Sequence, residues 1–154
     1  MKSKTLNKTI FLTIAILFAA ILQGQQLPSK EQQEIQQTVI KMFQALSDRD
    51  SIALKYYCSS DVKFYEYGQI WNIDTLIRKA IVMNHSADFE RANTFEFIYT
   101  ESSKTTAWVT YRLNSIIIKD AKNTDIQWLE TVVLTKQRKH WKVKHLHSTM
   151  IKRG

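Results

Sequence analysis

The sequence predicts an α+β domain in which helices cover one face of a mainly antiparallel sheet. Two observations carry this: apolar residues recur at helical spacing up to "NHSAD" (Asn84–Asp88), and beyond it the chain turns into β-branched and aromatic runs separated by polar turns. A third concerns domain number. With one proline and three glycines in 154 residues, no linker divides the chain, and the length suits a single core.

The first segment stands apart from that domain. Lys2, Lys4 and Lys8 precede the apolar run "IFLTIAILFAAIL" (Ile10–Leu22), and "QGQQLPS" follows with Gly24 as a small residue for cleavage. This is the pattern of a signal peptide over residues 1–24, ahead of a mature domain over 25–154. The apolar run is short for a membrane span, so an uncleaved anchor is the secondary reading and no stable span is expected after cleavage. The protein is therefore expected to be exported, periplasmic or secreted. Cys58 lies far from the cleavage region and is the only cysteine, which excludes an internal disulfide and suggests a buried thiol.

Ser29 and Gln32 form a capping-box pattern after Pro28. Ile35, Val39, Met42, Phe43 and Leu46 then share one face, which predicts a helix from about Lys30 to Leu46. Asp50 is placed to cap a short second helix through "SIALKYYC", turning Leu54 and Tyr57 inward. "DVKFYEYG" alternates as a first strand that Gly68 ends. After Trp71, Asn72 or Asp74 opens a third helix with Leu76, Ile77, Ala80 and Ile81 as its apolar stripe. Four long strands follow: "FERANTFEFIYT", "TTAWVTYRLNSIIIK", "DIQWLETVVLT" and "HWKVKHLHSTMI". In the second of these, Ala107, Val109, Tyr111 and Leu113 form one apolar face, while Trp108 and Ile116 lie on the other. Two apolar faces need two covers; the helices supply one, and a second subunit meeting sheet to sheet would supply the other, so a homodimer is expected.

Removing three lysines and no acid with the leader lowers the net charge from +8 to +5. Much of it lies in the last hairpin, at Lys136, Arg138, Lys139, Lys142 and Lys144, with Lys152 and Arg153 beyond. Alternating lysines on an amphipathic strand are read as a solvated face that discourages edge aggregation, and no nucleic-acid partner is expected. Attraction to anionic lipid or an envelope polymer stays open.

The order of helices and strands, and the ending in which Glu130 precedes an apolar strand, a basic turn, Trp141-Lys142-Val143 and His147-Ser148-Thr149, resemble the nuclear transport factor 2-like superfamily, SnoaL-like branch. "TAWVTYR" (Thr106–Arg112) adds to the likeness. The resemblance spans nearly all of the mature chain. It implies a cone, a curved sheet wrapped around a helix with a pocket at the wide end, and a family that includes isomerases, cyclases, dehydratases and members that only bind or associate. The aspartate base that the steroid-isomerase members use maps to no position here.

Strand register supplies a candidate site independently. With a two-residue loop at Arg138 and Lys139, or a four-residue loop from Gln137 to His140, Lys136 lies opposite Trp141. Continuing that count sets Val132 against His145, Glu130 against His147 and Trp128 against Thr149, so a carboxylate and an imidazole become cross-strand partners on an inward face. In a pocket, Glu130 and His147 would then serve as a catalytic acid and base; the plainer reading is a structural hydrogen bond that fixes register. Arg112 is a third member or an anchor for an anion, or simply an exposed strand arginine. Tyr65, Trp71, Trp108, Tyr111 and Trp128 are the candidate walls of a pocket for a small, largely apolar organic molecule, though most aromatics in such a chain pack the core. His145, His147 and Glu130 form too loose a set to assign a metal, and His85 lies in a loop that could rim the pocket. No nucleophile elbow, phosphate loop, cysteine pair or dinucleotide fingerprint is present, so no cofactor is expected.

Overall fold

A computed structural model describes residues 27–154; the expected leader over 1–24 lies outside the described residues. Helix α1 (Lys30–Ser47) opens on the capping box, with Ser29 Oγ accepting from Gln32 N–H and the Gln32 side chain accepting from Ser29 N–H. Its stripe of Ile35, Val39, Met42, Phe43 and Leu46 is buried. Asp50 caps α2 (Ser51–Tyr57) by accepting from Ile52 and Ala53 N–H, and buries Leu54 beneath it.

Strand β1 (Cys58–Glu66) starts directly from α2. It closes on β2 (Gln69–Trp71) through a two-residue turn in which Tyr67 and Gly68 both hold positive φ, at 50° and 72°. Asn72 is the residue that caps α3 (Ile73–Ile77), accepting from Thr75 N–H, and a π-helical turn (Arg78–Val82) continues it. The long strands are β3 (Glu90–Ser102), β4 (Thr106–Lys119), β5 (Lys122–Gln137) and β6 (His140–Arg153). Among the described residues, no helix is long and apolar enough to cross a membrane.

The sheet runs β2-β1-β6-β5-β4-β3, antiparallel throughout except where β1 lies parallel to β6. It is curved and not closed, with bulges in β3, β5/β6 and β1, and α1 lies across its inner face. Alternation along β4 is clean: Ala107, Val109, Tyr111 and Leu113 are at most 1% exposed, whereas Trp108 and Ile116 are 37% and 44% exposed on the outer face. Cys58 is buried, and burial pushes its thiol up to about 12, so it packs as a small apolar group.

Candidate functional site

The helices do not fill the whole inner face. Between the C-terminal half of α1, the α3/π segment and the sheet lies a cavity of about 220 Å³. Phe43 and Leu46 of α1, Trp71 of β2, Leu76, Ala80 and Trp128 give it apolar walls, with Tyr67 and Lys79 beside them. Its polar lining is Glu66 from the end of β1, Arg91 from β3 and Glu130 from β5. Strand alternation places all three inward: Glu66 follows Phe64 on the buried side of β1, Arg91 precedes Asn93 and Phe95 on β3, and Glu130 lies between Trp128 and Val132 on β5.

Glu130 is 3% exposed. Tyr111 Oη donates to its Oε2 at 2.7 Å and Ser148 Oγ donates to its Oε1 at 2.9 Å. Two donors aimed at one carboxyl favour the ionised form, and so does the nearby Arg91, yet burial outweighs them and pushes Glu130 up to about 6. Glu66 is raised further, to about 8, by burial and then by the charge of Glu130, with Arg91 opposing. Both carboxyl groups are thus drawn toward the neutral form, Glu66 more than Glu130. The Tyr111 hydroxyl, wholly buried beside Glu130, is held well above its ordinary range and remains a donor.

Arg91 is fixed from behind. Its Nε donates to Asn93 Oδ1 at 3.0 Å and its Nη2 to Ser115 Oγ at 3.1 Å. Ser115 Oγ donates in turn to Asn93 Oδ1, and Asn93 Nδ2 to Ser47 Oγ on α1. The guanidinium carbon lies 5.5 Å from the Phe43 ring centre and 5.8 Å from that of Trp128, so the cation sits among aromatic rings. One cation facing the buried Glu130 and the half-buried Glu66 leaves the lining electrically balanced when one of the two carries a proton.

The expected pairing of Glu130 with His147 does not form. The turn is the two-residue one, with Arg138 and Lys139 at φ 47° and 76° and Gln137 opposite His140. Leu134 still faces Val143, but Val133 faces His145, so Lys144 is an extra residue in β6. From there the register is slipped by one: Glu130 lies opposite Ser148 and Thr131 opposite His147. The bulged Lys144 is held by an ion pair with Asp61 on β1. His147 is exposed, and it and His145 lie on the outer face near Tyr65, with ring centres 6.4 and 4.6 Å away. Glu130 is on the opposite face, which rules out a ligand set of Glu130, His145 and His147; among the described residues, no group of three His, Cys, Asp or Glu could hold a metal.

Of the other candidates, Trp71 and Trp128 stand on the cavity wall, and Tyr111 reaches it only through Glu130. Tyr65 and Trp108 lie on the outer face, as does Arg112, which is exposed and paired with Glu96 at 3.2 Å. Glu66, Arg91 and Ser148 were not among the sequence candidates. Their signal is a charged or polar residue at an inward position of an alternating strand, readable once the inward face is known.

A family model described as a SnoaL-like domain matches residues 35–152. No curated protein matches the chain. Among solved structures, the NTF2-like protein from Cytophaga hutchinsonii superposes with a TM-score of 0.68 at 17% identity, covering 80% of this chain and 100% of that one. The S. rosetta CaMKII hub gives 0.65 at 19% identity over 81% and 100%. A ketosteroid isomerase-like protein from Erwinia carotovora atroseptica gives 0.64 at 16% identity over 81% and 99%. At such identities the likeness is one of fold.

Proposed function

The chain belongs to the SnoaL-like domain family, within the nuclear transport factor 2-like superfamily, and on that premise we propose that it binds a small organic molecule in the cavity beneath α1. The observation that carries this is the apolar-walled space of about 220 Å³ lined on its polar side by Glu66, Arg91 and Glu130. Since Arg91 offsets Glu130 and Glu66 is protonated at neutral pH, the fitting ligand is uncharged, mostly apolar, and carries one hydrogen-bond acceptor for the Glu66 carboxylic acid. A carbonyl oxygen meets that description.

A second reading is favoured by the unequal titration of the two carboxyl groups, at about 8 and about 6. Glu66 as acid and Glu130 as base would let the cavity move a proton within its ligand, the chemistry of an isomerase, cyclase or dehydratase. Glu130 and His147, on opposite faces, do not form such a pair.

The outer face supports a dimer, with Trp108, Ile116 and Leu129 between 37% and 44% exposed on neighbouring strands. A second copy packed there covers them. Replacing Trp108 with Lys is expected to turn a dimer into a monomer in sedimentation velocity; a wild type that sediments as a monomer contradicts this part of the reading.

Native mass spectrometry of the protein recovered from the cell envelope tests the rest. The expected result is a mature chain beginning near Gln25 that carries a neutral small molecule, and a Trp71→Ala variant that retains its fold but binds that molecule at least about tenfold more weakly. A full-length chain from the cytosol overturns the export reading, and a ligand bound equally by Trp71→Ala overturns the cavity as its site.

A further inference from the structure

A second concavity, of about 700 Å³, is distinct from the cavity described above and shares no lining residue with it. It is an open groove along the first half of α1. One wall is the solvent side of that helix, where Lys30, Gln33, Glu34, Gln37, Thr38 and Lys41 follow one another at helical spacing. The other wall is made by Tyr56 and Tyr57 at the end of α2 and by Lys139, His140 and Trp141 at the β5–β6 turn.

Two features of the groove point to a ligand. The first is charge: among the described residues, Lys30, Lys41 and Lys139 have no ion pair, in contrast with Lys136 and Lys144 of the same hairpin, which hold Glu31 and Asp61. Lys30 and Lys41 are separated by about 16 Å of helix rise, so the cations suit an extended chain rather than one compact anion. The second is an ordered aromatic platform. Lys142 lies over the Tyr56 ring at 3.6 Å and donates to the Tyr56 carbonyl, while Tyr57 meets the same ring edge-on at 5.0 Å.

Aromatic faces, side-chain amides, a hydroxyl and spaced lysines together match a sugar chain that carries carboxylates. Rings pack on the C–H faces of a sugar, amides and Thr38 pair with its hydroxyls, and lysines meet its acid groups. Glu34, in the middle of the helix wall, can only accept hydrogen bonds, and the hydroxyls of a sugar chain supply donors for it. We infer that this groove is a binding site for an acidic oligosaccharide, separate from the small-molecule cavity.

Titration calorimetry of the full mature protein tests the inference with oligogalacturonate as the probe. Its methyl ester, a polyglutamate peptide and poly(dT) serve as comparisons. Binding of oligogalacturonate that weakens with salt, falls at least about tenfold in a Lys30→Glu/Lys41→Glu variant and in Tyr56→Ser, and persists in Trp71→Ala would establish it. Both lysines are exposed, so the double variant is expected to melt as the wild type does. No binding of the probe, binding of the neutral ester with equal strength, or tighter binding of polyglutamate or poly(dT) would overturn it.

Discussion

Replacing Arg91 with Met is expected to destabilise the protein by about 3 kcal/mol at pH 8, and by less than about 1 kcal/mol at pH 5. Methionine keeps the contacts with Phe43 and Trp128 but removes the cation that opposes the buried Glu130 and the half-buried Glu66. At pH 8 Glu130 is ionised and would be left without compensation; at pH 5 both groups take up protons and the penalty fades. Urea denaturation at the two pH values measures the difference. An equal loss at both would mean that Arg91 acts through packing or through its bonds to Asn93 and Ser115, not through charge.

The second large effect belongs to Glu66. Its carboxyl is raised from 4.5 to about 8, so between those values the folded protein holds a proton that the unfolded chain has shed. Stability therefore falls as pH rises through this window; the cost is absent below about 4.5 and complete above about 8. Glu66→Gln, which stays neutral, is expected to be neutral in effect at pH 4 and to stabilise by on the order of 3 kcal/mol at pH 8.5, after discounting for partial exposure. Melting temperatures across the range would display a flattened profile. If the variant followed the wild-type curve in parallel, the raised carboxyl would have to be assigned elsewhere. The same substitution also removes the acid proposed to meet the ligand, so added stability with lost binding is the expected combination.

Much of this architecture is written in local patterns. The capping box at Ser29 and Gln32, the buried stripe of α1, the cap at Asp50 and the clean alternation of β4 each follow from neighbours within a few residues, and each appears where those patterns place it. Strand β2 escapes because three residues carry no periodicity, and the π-helical turn because a change from α to π spacing has no composition of its own. The site was less legible for a physical reason. Hairpin counting is reliable only while two strands stay in step, and the extra residue at Lys144 meets Asp61, distant in sequence and on the parallel neighbour β1. That single bulge exchanges Ser148 for His147 as the partner of Glu130. Glu66 and Arg91 were readable as inward charges, but only the curvature of the sheet brings β1 and β3, at opposite sides of it, to one cavity.

Side-chain carboxyl ¹³C NMR of glutamate-labelled protein, titrated from pH 3 to 10, tests the balance of charge around Arg91 most directly. Two resonances, lost respectively in Glu66→Gln and Glu130→Gln, are predicted to titrate near 8 and near 6, both above the ordinary 4.5 of a glutamate. Should both titrate near 4.5 instead, the cavity would hold two ionised acids at neutral pH, and neither the neutral ligand nor the proton-transfer reading would stand.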